Sequence, residues 1–224
     1  RDRVILRDVV VLGSDDGMTQ LYALHLPNPH LETRAALPGH TAGVLCCAAS
    51  STWSIAVTGS ADHSVIVWDL NRCRFVRQLK EPDQPIQLVA IDDQRGWIAA
   101  AAGSEVWVWS INGFLLVHQS TRSATNDPPS SMTFVARDFH VDKLGVLVTG
   151  HRDCIVMWDI VSNHARATPP RWRLEKNTVL SLRQSSKATC LYMPNTSTLC
   201  TGHEDGEVYV WTLPGAATLP KAPQ

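Results

Sequence analysis

The sequence predicts an all-β protein, a β-propeller of which about five blades are represented. Five segments of the 224-residue chain share a turn that begins with glycine and an alternating strand that closes with an aromatic residue. The closing residues are spaced by 46, 41, 49 and 53 positions, and they are Tyr22, Trp68, Trp109, Trp158 and Trp211. This spacing is close to the ~40–45 residues of a four-stranded propeller blade.

Each unit shows the pattern of four antiparallel strands. The residues before the aromatic side chain are β-branched and alternate in character, as in Val65–Val67, which is typical of a strand. An apolar segment such as 55–57 precedes each turn and completes a hairpin, and a further one, such as 44–49, lies upstream. The tight-turn dipeptide Asn112-Gly113 then predicts a fourth strand from residue 114.

The blades are expected to occupy residues 1–213, followed by a flexible C-terminal tail at 214–224 that is rich in Pro and Ala. The first blade lacks residues for its innermost strand, and five units are few for a closed propeller of this kind. We therefore expect part of a larger propeller with uncovered blade faces. The isolated chain is predicted to be marginal in stability or self-associating.

Composition narrows the class of protein. Hydrophobic residues make up 44% of the chain, charged residues 18%, and the net charge is -1, which is typical of a soluble globular domain. Near-neutrality argues against a nucleic-acid surface or a polybasic membrane anchor. Six cysteines without a C-x-x-C pair favour a reducing compartment. The prediction is a cytoplasmic protein, at most peripheral on endomembranes.

The repeated units resemble the Trp-Asp (WD) repeat, through the pairs Trp68-Asp69 and Trp158-Asp159 and the upstream Gly39-His40. In WD-repeat propellers a His, a Ser or Thr, an Asp and the Trp form a buried hydrogen-bonded tetrad. The resemblance assigns these structural roles in the second unit to His40, Ser60, Asp62 and Trp68.

The other units depart from this pattern. The first ends in Tyr22 instead of Trp, and the third has Glu81-Pro82 where Gly-His is expected. The fourth and fifth units have His151 and His203 at the position of the serine. These two Gly-His pairs lie beside a different strand from Gly39-His40, so the sequence interpretation does not count them as the motif.

Three segments resemble a narrower family, the C-terminal WD repeats of beige and neurobeachin (BEACH-domain) proteins. They are residues 68–79 (WDLNRCRFVRQL), 106–115 (VWVWSINGFL) and 146–159 (VLVTGHRDCIVMWD). Members of that family are large cytosolic scaffolds in vesicle and lysosomal traffic and autophagy. The resemblance implies a non-enzymatic platform that binds other proteins, including the BEACH module of its own parent chain.

Enzymatic and metal-binding alternatives have weaker support. His40, Ser60 and Asp62 are the residue types of a hydrolase triad, but a G-x-S-x-G elbow is missing from the sequence and the tetrad explains the same residues. Neither Cys46-Cys47 nor the C-x-x-H pair Cys200…His203 is spaced for chelation from a strand. We expect no catalytic residue, no metal, no cofactor and no nucleic-acid partner.

Three turn residues, His63, Arg152 and Glu204, are predicted to occupy equivalent positions in their blades. In WD-repeat propellers these turns lie on the face that usually binds partners, so they are candidate partner contacts. A second hypothesis stays open at this point. The chain could be a WD-repeat adaptor of another class, either a ubiquitin-ligase substrate receptor or a chromatin-associated subunit.

Overall fold

The computed structural model describes residues 9–25, 27–135, 145–162, 172–182, 186–195 and 198–212. These residues form five antiparallel sheets, each with its strands in chain order, which we number as blades one to five. Blade one contains β1 (Val9–Gly13), β2 (Thr19–His25) and β3 (His30–Leu37). Blade two contains β4 (Val44–Ser50), β5 (Ile55–Ser60), β6 (Val65–Asp69) and β7 (Arg74–Leu79). Blade three contains β8 (Leu88–Asp92), β9 (Trp97–Ala102), β10 (Glu105–Ser110) and β11 (Leu115–Ser120).

Blade four contains β12 (Ser131–Phe134), β13 (Gly145–Gly150), β14 (Cys154–Ser162) and β15 (Trp172–Ser181). Blade five contains β16 (Ala188–Asn195), β17 (Thr198–His203) and β18 (Val208–Thr212). A 3-10 turn covers Thr121–Ser123. The chain divides into two compact units, the first with β1–β11 and the second with most of β12–β18. The predicted tail at 214–224 lies outside the described residues. In the part of the chain that the structure describes, no helix is long and apolar enough to cross a membrane.

The aromatic residue of each unit lies on an equivalent strand, as the sequence predicts. Trp68 of β6 pairs with Ala56 of β5, and Trp158 of β14 pairs with Leu147 of β13 in the same register. The strand expected after Asn112-Gly113 is β11. The all-β propeller prediction is therefore confirmed. In blade one, β1–β3 correspond to the second, third and fourth strands of a complete blade.

The aromatic-bearing strand of blade two is buried on both faces. Val65 and Val67 of β6 pack in a cluster with Trp107 and Trp109 of blade three. The alternate residues of β6, among them Trp68, pack with Leu21 of blade one. Burial of each such side chain contributes roughly 1.5–3 kcal/mol. The second compact unit, which contains most of β12–β18, has its own hydrophobic cluster. In this cluster Val148, Ile155 and Leu199 are fully buried.

The glycine at the end of the second strand permits close contact between neighbouring blades. A Cβ atom on Gly59 would lie 2.4 Å from Cγ2 of Ile86, and one on Gly150 would lie 2.9 Å from Cβ of Ala188. Both partners are buried residues of the following blade. Side chains larger than hydrogen would push these blades apart, which explains the glycine at these two positions.

Blade five exposes one apolar face. Val208 and Val210 of β18 are 70% and 67% exposed, whereas the equivalent Val65 and Val67 of blade two are 0% and 1% exposed. In blade two this face is covered by the following blade. Tyr192 of β16, which is separated from β18 by β17, is also 65% exposed.

We predict that the 224-residue chain self-associates through this face, because adjacent exposed valines gain free energy when they are removed from water. In sedimentation velocity, the wild-type chain is expected to show dimers or larger species whose fraction rises with concentration. The double variant Val208→Thr, Val210→Thr should shift the chain toward monomer while keeping its β structure. A wild-type chain that is monomeric at all concentrations would contradict the prediction.

Candidate functional site

A buried polar network connects the strands of blade two to its turn. The indole Nε1 of Trp68 donates to Oγ1 of Thr58 at 2.9 Å, and the same hydroxyl lies 2.8 Å from Nε2 of His40. Nδ1 of His40 is 3.0 Å from Oδ2 of Asp62. The chain of contacts therefore runs from Trp68 through Thr58 and His40 to Asp62. Because each member is paired, the burial cost of these polar groups is offset.

Asp62 connects the turn between β5 and β6 to the loop that precedes β4. Its carboxylate also accepts from the backbone N–H of Thr41 at 2.9 Å, and from the backbone N–H and the hydroxyl of Ser64. Burial raises the pKa of this carboxyl, but the hydrogen bonds from Ser64, Thr41 and His40 outweigh it and lower the pKa to about 2. The Asp62 carboxylate is therefore ionised and directed inward, with a side chain only 6% exposed.

The sequence assignment of Ser60 to this network is wrong, because Thr58 takes its place. Trp68 pairs with Ala56 across the hairpin, so Thr58 is two residues further along β5 on the same face and Ser60 is four. At ~3.3 Å per residue, the second distance is beyond the reach of the indole N–H. The Ser60 hydroxyl instead contacts the carbonyls of Ala42 and Gly43 at 2.9 and 2.8 Å and fixes the loop that follows His40.

Thr58, His40 and Asp62 have the order of contacts of a hydrolase triad, yet they are placed for stability. Thr58 is fully buried, and its oxygen already accepts from Trp68. A nucleophile needs a position where a substrate carbonyl can approach it, and none exists at a hydroxyl enclosed between two strands. Ser60 has no contact with His40 in this arrangement, because its hydroxyl is directed to two backbone carbonyls.

Blades four and five build the same contact from a different histidine. Nε2 of His151 lies 2.9 Å from Oγ1 of Thr149, which accepts from Nε1 of Trp158. In blade five, His203 and Thr201 are likewise 2.9 Å apart, and Trp211 donates to the threonine. The two Gly-His pairs therefore contribute to the network, although the sequence interpretation does not count them as the motif. A histidine in the serine position contacts the threonine two residues before it. The sequence pattern that indicates this contact is Thr-Gly-His, at 149–151 and 201–203.

Blade three lacks the threonine, and its tryptophan lacks a partner. Trp109 pairs with Ile98, so the position equivalent to Thr58 is Ala100. Both Trp109 and Ala100 are completely buried, and among the described residues Nε1 of Trp109 has no hydrogen-bond acceptor. In blade one Leu12 stands at this position, and the hydroxyl of Tyr22 bonds to Gln20 instead.

We predict that Ala100→Ser stabilises the protein by about 1 kcal/mol, because the added hydroxyl supplies the missing acceptor for the Trp109 indole. Ala99→Ser, one residue earlier on the opposite face of β9, adds the same atom without an indole to accept from and should destabilise. Urea titration of the two variants measures the difference. Equal or lower stability of Ala100→Ser compared with Ala99→Ser would contradict this prediction.

The predicted contact residues lie on the turns that join the second and third strands. His63, Arg152 and Glu204 are all exposed there. Their predicted equivalence is only partly right, because Arg152 and Glu204 directly follow the histidine at the position of Ser60, whereas His63 is three residues after Ser60. The backbone of His63 has a φ of 67°, and its N–H donates to the carbonyl of Ser60. This left-handed conformation is uncommon outside glycine, and it sets the direction of the Cα–Cβ bond of His63. Whether the three residues contact partners stays a prediction.

The residues weighed for metal binding have other roles. The Cys46 thiol donates to the carbonyl of Ile86, and burial raises its pKa to about 12. Nε2 of His203 faces Thr201, away from any pairing with Cys200. Within the described ranges, no group of three or more His, Cys, Asp or Glu side chains is arranged to hold a metal ion.

The repeated sheets, the close blade contacts and the Trp–Thr–His networks define a β-propeller that contains WD repeats. The family of the WD domain, G-beta repeat, matches residues 31–69 and 176–212, which include the networks of blades two and five. One chain of the crystal structure of the Mitotic Checkpoint Complex superposes with a TM-score of 0.69 at 16% identity, over 92% of this chain and 59% of that chain. That likeness shows the fold.

Similarity to individual proteins points to one group within this class. The chain is 29% identical to Protein SPIRRIG of Arabidopsis thaliana over 92% of its length, and 29% identical to BEACH domain-containing protein A2 of the same plant over 96%. It is 33% identical to the human Lysosomal-trafficking regulator over 41% of its length. The resemblance to BEACH-domain proteins is confirmed. The chain spans only 6%, 7% and 3% of these three proteins.

Proposed function

We propose that this chain is the WD-repeat propeller of a BEACH-type protein and acts as a non-enzymatic protein-interaction platform in vesicle or lysosomal traffic. The observation that carries the proposal is the similarity to BEACH-domain proteins across more than nine-tenths of the chain. The name of the human relative, a lysosomal-trafficking regulator, supports the traffic role. The platform is cytoplasmic and, at most, peripheral on endomembranes.

The interaction role is supported by how the blades use their polar residues. In blade two the histidine, threonine and aspartate have side chains of catalytic type, but all three are engaged in buried structural hydrogen bonds. The exposed polar residues are instead on the turns, which these bonds hold rigid. Rigid loops on a stable scaffold are suited to binding other proteins. We place partner contacts at His63, Arg152 and Glu204, and the BEACH module of the parent chain among the partners.

The test compares the tagged wild-type chain with the variant His63→Ala, Arg152→Ala, Glu204→Ala in cells. We expect part of the wild-type chain to co-fractionate with lysosomal markers. The amount of the variant in these fractions should be about tenfold lower, while its thermal midpoint stays that of the wild type. The matched control is Asn71→Ala, Gln94→Ala, which changes exposed turn residues away from the proposed contacts. Retention of the triple variant on the same membranes would contradict the placement of the contacts.

The same experiment separates the alternative, a WD-repeat adaptor of a ubiquitin ligase or of chromatin. A purely nuclear distribution of the wild-type chain, or association only with ligase subunits, would contradict the traffic proposal. Nothing in the geometry of the described residues favours that alternative over the first.

A further inference from the structure

The turn end of blade two contains a pocket of about 240 Å³. Its lining consists of Gly39, Thr41, Asp62, His63, Gln78, Lys80 and Pro82. These residues come from three segments of the chain: the loop before β4, the turn between β5 and β6, and the end of β7 with the residues that follow it. The pocket therefore lies directly above the Trp–Thr–His–Asp network, at one of the turns where we propose that partners bind.

The walls of this pocket are fixed by internal hydrogen bonds. Nε2 of Gln78 donates to the Ser64 hydroxyl at 2.9 Å, and that hydroxyl donates to Oδ1 of Asp62 at 2.6 Å. The backbone N–H of Thr41 donates to Oδ2 of the same carboxylate. A ligand would thus enter a site that is already formed, and little conformational entropy would be lost on binding.

Three exposed groups that line the pocket can donate hydrogen bonds. Lys80 is exposed and takes part in none of the ion pairs formed among the described residues. His63 and Thr41 are exposed as well, and no hydrogen bond within the described part of the chain uses the imidazole or the threonine hydroxyl. An ammonium, an imidazole and a hydroxyl thus line the same pocket and are available to a ligand.

The carboxylate of Asp62 does not cancel this donor set. Its two oxygens accept from four donors, which are the imidazole of His40, the backbone N–H of Thr41, and the backbone N–H and hydroxyl of Ser64, and its side chain is 6% exposed. A cationic ligand would therefore meet a buried, satisfied carboxylate and an exposed ammonium. Pro82 is buried and supplies apolar surface for the aliphatic part of a ligand.

We infer that this pocket binds an acidic side chain, a glutamate or aspartate, of a protein partner. The carboxylate contacts Lys80 and the donors of His63 and Thr41, while the methylene groups lie against Pro82. The inference rests on the proposed function, because it names the chemistry of the partner at one of the same turns. A charged pair at an exposed site is weakened by salt, so the contact gives specificity more than affinity.

The experiment titrates the full 224-residue chain with a capped penta-glutamate peptide and, in parallel, with capped penta-glutamine. Binding is followed by fluorescence anisotropy and by the Cε1–H resonance of the His63 ring. We expect the glutamate peptide to bind about tenfold more tightly, to shift the His63 resonance, and to weaken as salt is raised. Equal affinity of the two peptides would overturn the inference.

Variants distinguish the pocket from general attraction of an anion. Lys80→Met is expected to reduce glutamate-peptide binding about tenfold, and Lys80→Arg to retain most of it. Lys176→Met removes one exposed positive charge from β15 and should leave binding unchanged. A loss as large in Lys176→Met as in Lys80→Met would overturn the inference. The glutamate peptide could fail to bind while the triple variant of the turns still loses its association with lysosomal membranes in cells. In that case the pocket assignment is wrong and the proposed function stands.

Discussion

Thr58→Val is expected to lower the free energy of unfolding by about 2–4 kcal/mol, the largest effect of a single methyl-for-hydroxyl exchange that we predict for this protein. Valine has nearly the shape of threonine, so packing is kept. The indole N–H of Trp68 and Nε2 of His40 lose their common partner in a site with no solvent access. Each buried polar group without a partner costs about 1–3 kcal/mol.

The measurement is a denaturant titration against Thr33→Val, which makes the same exchange at an exposed position of β3. That control should stay within about 0.5 kcal/mol of the wild type. Hydrogen exchange at the Trp68 indole adds a local readout, since its N–H should lose protection in Thr58→Val before global unfolding. Identical midpoints for the two variants would show that the Trp68–Thr58–His40 contacts do not stabilise blade two.

Asp62→Ala is expected to destabilise the protein by about 1–3 kcal/mol, and Asp205→Ala by clearly less. The two aspartates occupy equivalent turns in blades two and five. Asp62 accepts from His40, Thr41 and Ser64, whereas exposed Asp205 accepts from the backbone N–H of Glu207 at 3.0 Å. Removal of Asp62 leaves buried donors unpaired, and removal of Asp205 leaves donors that water can reach.

Denaturant titration of both aspartate variants decides this, and equal midpoints would contradict it. The pH dependence gives an independent check. The pKa of Asp62 is lowered from its ordinary value of 3.8 to about 2, so its contribution to stability is complete well above pH 3.8 and is lost as the pH falls toward 2. The stability difference between the wild type and Asp62→Asn should therefore be constant from pH 5 to 7 and shrink below pH 4.

The local sequence was sufficient for the architecture of this protein. Strand alternation around Val65–Trp68, the turn at Asn112-Gly113 and the recurrence of the closing aromatic residue are short-range signals, and each predicted strand forms at or near its expected place. These signals can be recognised from the sequence because both kinds of element restrict the residue types at each of their positions. One kind is a strand that is buried on both faces, and the other is a two-residue turn.

The identity of the tetrad depended on the tertiary structure. Thr58 and Ser60 lie on the same face of β5, and a period of two cannot distinguish them; the pairing of Trp68 with Ala56 decides that Thr58 is within reach. The roles of His151 and His203 also depended on the tertiary structure. Both residues lie next to a turn in the sequence, but their side chains contact Thr149 and Thr201. The sequence by itself determined which residues form strands, whereas the register between strands, which arises from packing across the sheet, determined which polar side chains meet.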